Sequence, residues 1–389
     1  MLNPVEFFEC DWIHLRGGEH PTPMLANRVT NSLYSTRESI SHTMQAARLH
    51  DYTDEMDDAL SIDTIERPEA DTADGVVVEV EGAGWCQTDN HVIEGMWEQY
   101  MPQDLPMTLG HENAGTVVEV GEGVSTVSEG DSVICHTVMT CGTCRPCRLG
   151  NDMHCENIGF PGLSTDGGFA EYLRTNDRAV IPLPGDVDTV DIAPHADAGI
   201  TAYHAVKLAV RELNPGDHAV VIGIGGLGHI GLQCLDAMSA ATITAVDVKD
   251  SARSLADDLG AHHTLDPTAD DIPAEVDALT DGTGAHAILD FVGSDETTGL
   301  APDIVAGGGD HYVVGYGGHV HQPSQALVNG DFSYTGTLVG NYTELQELVA
   351  LVERGDVDLR TSRRGLDEIN DVAAELERNE IEGRAVITP

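Results

Sequence analysis

Cys141, Cys144, Cys147 and Cys155 stand in a C-x2-C-x2-C-x7-C array. Four thiolates on one short loop can close a tetrahedral shell around Zn²⁺, which takes sulfur ligands readily and needs no further partner. Disulfides would consume the same residues. However, the N-terminal MLNPVEFFECDWIHLRGG has neither the basic start nor the apolar run of a secretory signal, and thiols in a reducing compartment stay reduced. An iron–sulfur cluster fits poorly too, since the bacterial ferredoxin run has three residues before its last cysteine and a proline after it. Here seven residues intervene and Glu156 follows. The loop reads as a structural zinc site, and its closed shell leaves no position for a reactant.

Three quieter motifs are better suited to chemistry. Cys86-Gln-Thr88-Asp89-Asn-His91, Gly110-His111-Glu112 and Asp197-Ala-Gly-Ile-Thr201 each fit ordinary packing when taken alone. Together they offer a thiolate, an imidazole and a carboxylate, three protein ligands with a fourth position open, as a catalytic zinc requires. A fourth motif, Gly223-Ile-Gly225-Gly226-Leu227-Gly228, follows a predicted strand and opens a helix. Glycines there permit a tight turn and a close approach to a pyrophosphate, which then sits on the positive end of the helix. Asp247 ends the next strand, 19 residues after Gly228. A carboxylate at that point accepts hydrogen bonds from ribose hydroxyls and repels a 2′-phosphate, which favours NAD over NADP.

Two kinds of architecture are needed to hold these residues. From Gly75 to about Ile181, short β-rich runs such as VVVEVEG (76–82) and AGTVVEVGEG (114–123) are punctuated by glycine. They predict a small antiparallel barrel with the cysteine loop as an excursion. Near Ala198 the pattern becomes alternating strand and helix: HAVVIG, GHIGLQCLDAM, ATITAVDV, SARSLADDLGA, AHAILDFVG and DHYVVGYGG. That alternation predicts an α/β doubly wound parallel sheet. The tail from Tyr342 to Pro389 predicts two amphipathic helices flanking Arg360–Arg364, then a closing strand Arg384–Thr388 that returns to the first domain.

In the order and spacing of these motifs, residues 44–389 resemble the zinc-dependent medium-chain alcohol dehydrogenases. The resemblance implies a chaperonin-10-like catalytic domain over 44–199, to which 341–389 returns, and an NAD-binding Rossmann domain over 200–340. It implies a catalytic zinc on Cys86, His111 and Asp197, with Glu112 behind the metal or ligating transiently, and a second, structural zinc on the four cysteines. Thr88 and His91 would relay the alcohol proton, with Asp89 orienting the ligands. Gly223, Gly225, Gly226, Leu227 and Gly228 would bind the cofactor together with Asp247, Thr201, Val292 and Arg384, the last reaching the cofactor phosphates. Small primary or secondary alcohols, or the matching aldehydes and ketones, would be substrates, and a homotetramer is the expected assembly. Gln87 departs from the histidine or arginine common near the pyrophosphate in the family. Asp197 stands where many relatives carry cysteine, and a harder oxygen ligand eases exchange of the metal. His195, two residues away, is a competing ligand. Trp85 and Trp97 are either a substrate wall or core. A polyol or sugar dehydrogenase is the nearest alternative, and a nucleic-acid-binding zinc ribbon the alternative from another class.

Composition bears on the latter. There are 66 acidic and 19 basic residues, for a net charge of −47. Such a field repels nucleic acid and anionic membranes. In molar salt the Debye length shrinks to about 3 Å, which screens the self-repulsion. The chain therefore reads as a cytoplasmic protein of a halophile. No apolar run approaches the roughly 18 residues of a membrane span. Residues 1–43 carry five acidic and three basic residues without clear periodicity. They are expected to be an upstream extension or a disordered tail, with Met44 the natural start.

Overall fold

The computed structural model describes residues 42–99, 101–185 and 187–389. Most of the proposed extension, residues 1–41, lies outside the described residues. Strand pairing begins at Thr43, opposite Glu66.

The cofactor-type domain is a six-stranded sheet. Its order is His263–Leu265, Thr242–Val246, His218–Ile222, Ala285–Asp290, Val305–Val313 and Ser333–Gly336, and every neighbouring pair is parallel. The chain starts in the middle, at His218–Ile222, works outward to one edge, then returns to fill the other side. The carboxyl ends of His218–Ile222 and Ala285–Asp290 therefore flank the point where the winding reverses, where such sheets bind ligands. All five residues of His218–Ile222 are buried, as expected of a strand covered on both faces by helices. Every residue from Gly228 to Leu235 of the helix Gly228–Met238 is buried, with Ile230, Leu232 and Leu235 fully so. Gly231 lets this helix lie against Phe291, because a Cβ there would come within 2.4 Å of the ring.

The second domain holds a seven-stranded sheet built on the strands Gly75–Gly84 and Glu112–Val120. A three-stranded sheet accompanies it, Thr43–Leu49 flanked by Leu60–Glu66 and Met107–Thr108. The predicted barrel is not wholly antiparallel. Thr361–Gly365 pairs parallel with Arg384–Thr388, which in turn pairs antiparallel with Gly75–Gly84. Tail helices Tyr342–Glu353 and Ile369–Glu377 flank that extra strand. The cysteine loop leaves this sheet after Ser132–Cys135 and rejoins it at Tyr172–Asn176. Trp85 is core: it is 2% exposed, stacks on Phe169 at 4.8 Å and donates its indole N–H to Asn90. It forms no substrate wall.

Candidate active site and cofactor cleft

The site begins with a strand register. Gly84 pairs with Glu112, so Cys86, two residues past Gly84, is brought beside His111. Gly84 has to be glycine, since a Cβ would sit 2.1 Å from the Glu112 carboxylate. Cys86 opens the helix Gln87–Ile93, and its amide donates to Asp89 Oδ2 at 2.9 Å. Asp197 opens the helix Ala198–Ala209. Four residues meet here: Cys86, His111, Glu112 and Asp197 each bring a ligand atom within 4.8 Å of the others. His195, the competing ligand, is not among them. It is buried with Nδ1 unpartnered, turned toward Gly199, and burial lowers its pKa to about 3, with His229 and Arg384 adding to the effect.

The donor set fits a zinc ion. His111 is 1% exposed, and its Nε2 is buried without a hydrogen-bond partner, 3.5 Å from Asp197 Oδ2. Its other nitrogen, Nδ1, lies 3.2 Å from Asp89 Oδ1. This carboxylate–imidazole pair fixes the ring and points Nε2 at the cluster, the arrangement that orients metal-ligating histidines. Burial works against a proton on His111, but Asp89 and Asp197 outweigh it and hold its pKa well above the usual histidine value. The pocket thus demands positive charge. Glu112 is already engaged: Oε1 accepts from the Ala198 amide at 3.1 Å and Oε2 from the buried Arg384 guanidinium.

Arg384 connects the two halves of the site. Its Nη1 would lie 3.0 Å from a Cβ on Gly226, so the same side chain touches the glycine turn and Glu112. Gly223 takes φ +84° to make this turn, and a Cβ on Gly228 would fall 1.7 Å from Gly223 O. Gly225 by contrast has nothing within 4 Å of a Cβ position, leaving an open cradle over the helix N-terminus. A cleft of about 550 Å³ runs over all six motif residues and Asp247 to Val292. It adjoins a second, of about 650 Å³, reached past Gly223, Asp247 and Val292 toward Pro267 and Thr268. Asp247 takes the Ile224 amide on Oδ2 and the Lys249 amide on Oδ1, both at 2.8 Å. Thr201 lies in the first turn of the helix that Asp197 opens.

In the helix that Cys86 opens, Thr88 Oγ1 is 3.0 Å from the hydroxyl of Tyr316. The Tyr316 ring meets His91 edge-on at 5.8 Å and Trp97 at 6.2 Å, while Phe160 stands edge-on to His111 at 6.2 Å. His91 is half-buried, which lowers its pKa against the opposing pull of Glu94. Tyr316 was not foreseen, because it comes from the segment after Val305–Val313, more than two hundred residues from Thr88, and no spacing rule links them.

In the cysteine loop, amides point at sulfur. Cys141 N donates to Cys155 Sγ at 3.3 Å, and Cys144 N to Cys141 Sγ and Asn157 N to Cys155 Sγ, both at 3.4 Å. All four sulfurs lie within 4.8 Å of one another. Hydrogen bonds from the Thr143 hydroxyl and amide and the Cys144 amide bring Cys141 down to about 5. Burial instead pushes Cys147 up to about 12, with Cys144 and Cys155 beside it. Four thiolates this close need a dication among them, which the shell fits.

Two family models match this arrangement. Residues 72–185 match the alcohol dehydrogenase GroES-like domain, and residues 226–354 the zinc-binding dehydrogenase domain. An NAD-dependent alcohol dehydrogenase of Sulfolobus acidocaldarius is 33% identical over 80% of this chain and 91% of its own length. The chain belongs to the zinc-dependent medium-chain alcohol dehydrogenases. Another family member, the D-arabinose 1-dehydrogenase (NADP(+)) of Saccharolobus solfataricus, is 34% identical over 85% of this chain and 94% of its own length. Among solved structures, the alcohol dehydrogenase of Aeropyrum pernix superposes with a TM-score of 0.84 at 47% identity, covering 89% of this chain and all of that one.

Proposed function

We propose that the protein transfers hydride between small primary or secondary alcohols and NAD, with Cys86, His111 and Asp197 holding the catalytic zinc. The observation that carries this is the unpartnered, buried His111 Nε2 facing a thiol and a carboxylate beside an open cofactor cleft. When bound, zinc supplies a Lewis acid for the substrate oxygen and the nicotinamide supplies the hydride acceptor. The chain's own residues do the rest. Asp89 keeps the proton of His111 on Nδ1, leaving Nε2 for the metal. Thr88 would relay the alcohol proton, its Oγ1 taking that proton as it gives up its own, and His91 would release a proton to solvent; Tyr316 Oη lies 3.0 Å from Thr88 Oγ1. His91 suits the release step, since its pKa lies below the ordinary histidine value and its proton is readily given up near neutral pH. Phe160, Trp97 and Tyr316 offer rings to an apolar substrate. Arg384 and the Gly223–Gly228 turn would hold the pyrophosphate, and Thr201 and Val292 would contribute further contacts to the cofactor.

Similarity to a D-arabinose dehydrogenase supports a sugar-oxidising variant as the second reading. Comparing kcat/KM for ethanol, 2-butanol, sorbitol, glucose and D-arabinose decides between them. Saturation by the polyol or sugars alone would overturn the simple-alcohol reading.

Two substitutions probe the site. Thr88→Val is expected to lower kcat by about 10²-fold, the low end for losing a positioned proton-transfer group. Tyr316→Phe should instead change chiefly KM, because only the contact that covers Thr88 is lost. Steady-state kinetics of both variants checks the split. Asp247→Asn keeps an oxygen for the Ile224 amide but removes the charge facing a 2′-phosphate. It should raise the NADP-to-NAD ratio of kcat/KM on the order of tenfold, and an unchanged ratio would place NAD selectivity elsewhere.

The cytoplasmic, salt-adapted reading rests on the 66 acidic residues against 19 basic. The homotetramer is supported by the strand Ser333–Gly336, whose outer edge has no partner strand among the described residues. Exposed Val328 and Leu338 lie close to it in sequence.

A further inference from the structure

We infer that Asp295, His319 and His321 form a third metal site, for a divalent first-row transition ion such as Zn²⁺, on the surface of the cofactor domain. One carboxylate oxygen and one imidazole nitrogen from each histidine lie within 4.8 Å of one another. Bonds of about 2 Å to a shared ion hold ligand atoms no more than about 4 Å apart, so a small swing of the exposed rings closes the set. The mix of imidazole and carboxylate suits Zn²⁺, Ni²⁺ or Cu²⁺ better than Ca²⁺ or Mg²⁺, which prefer all-oxygen shells.

The donors are positioned by backbone, not by chance encounters of side chains. Asp295 begins the helix Asp295–Ile304, and its Oδ1 accepts from the His319 amide at 2.6 Å and faces His319 Nδ1 at 3.2 Å. The His319 carbonyl accepts from the Thr298 hydroxyl at 2.7 Å. Gly318 lies so close that a Cβ would come within 2.5 Å of the Asp295 amide. His321 has its ring 5.3 Å from that of His319, inclined at 25°. An exposed Asp–His pair at a helix start is a common, weak contact, but it gives no reason for the second imidazole. Glu296 is exposed next to the site, and the net charge of −47 draws cations to the whole surface. The same segment carries Tyr316, so an ion here would fasten to the helix the stretch of chain that covers Thr88.

The test is a Zn²⁺ titration against a chromogenic chelator, in molar KCl without phosphate, on enzyme already holding its two cysteine-bound zinc ions. Wild type is expected to take up a further equivalent. His319→Ala and His321→Ala should each weaken that uptake at least about tenfold, while zinc at the cysteine sites and the melting temperature stay as in wild type. Asp295→Asn should do the same through loss of the carboxylate. The proposal is overturned if wild type binds no further equivalent, or if both histidine variants bind it as wild type does. The result does not depend on which alcohol is the substrate.

Discussion

Cys86→Ser is expected to lose one of the two cysteine-bound zinc ions and to lower kcat/KM by about 10³-fold or more, the scale of removing a main stabiliser of developing charge. The reasoning starts from what the variant leaves behind. The Cys86 amide still donates to Asp89 Oδ2, and Asp89 still faces His111 Nδ1, so the helix start and the imidazole keep their places. What disappears is the thiolate, the softest ligand of the set. Glu112 cannot step in without giving up the Ala198 amide and the Arg384 guanidinium. Asp197 and His111 alone make a two-ligand site, too few for tight zinc binding. Metal analysis, circular dichroism and kinetics on one preparation check the prediction. Full zinc content with activity within tenfold of wild type would show that Cys86 is not a ligand.

The second large effect is on stability. Cys141→Ser is expected to remove the other zinc, leave the catalytic one in place and lower Tm by about 4 °C, since a few kcal/mol over an unfolding entropy of about 2.1 cal/mol/K per residue gives that order in a chain of this size. Cys141 is readily ionised, brought down to about 5 by the Thr143 hydroxyl and neighbouring amides, and serine cannot supply an anion in its place. Binding of a structural zinc is worth about 10–16 kcal/mol in small zinc-folded peptides. Most of the loss here is confined to the loop, because the strands Ser132–Cys135 and Tyr172–Asn176 at its ends are held by their own sheet partners. Activity per bound catalytic zinc should change much less than Tm. A loss of both metals together would contradict the separation of the two sites.

Both sites were visible in the sequence because their chemistry is local. The four cysteines fall within one loop, and the glycine turn, Asp247, and the Cys86 and His111 motifs sit at strand ends that hydrophobic patterning also marks. What was hidden depends on long-range pairing. Thr361–Gly365 reads TSRRG, with no apolar alternation, and becomes a strand only because Arg384–Thr388 offers it an edge. Trp85 could be assigned to core or wall only once Phe169 was known to stack on it. Tyr316 reaches Thr88 from a segment 228 residues further along the chain. The engagement of Glu112 by Arg384 joins residues 272 positions apart, and no motif marks it.

That last pair has a thermodynamic meaning. One guanidinium serves as counter-charge to Glu112, in the ligand cluster, and as lining for the glycine turn proposed to receive the cofactor. A change in its position or partners on one side is therefore felt on the other, and such coupling is reciprocal. If loading the metal site tightens NAD binding by some factor, NAD must tighten metal binding by the same factor. The closing strand of the barrel thus acts as a tie rod between two equilibria, and a chelator should strip the catalytic ion at a different rate once the cofactor is bound.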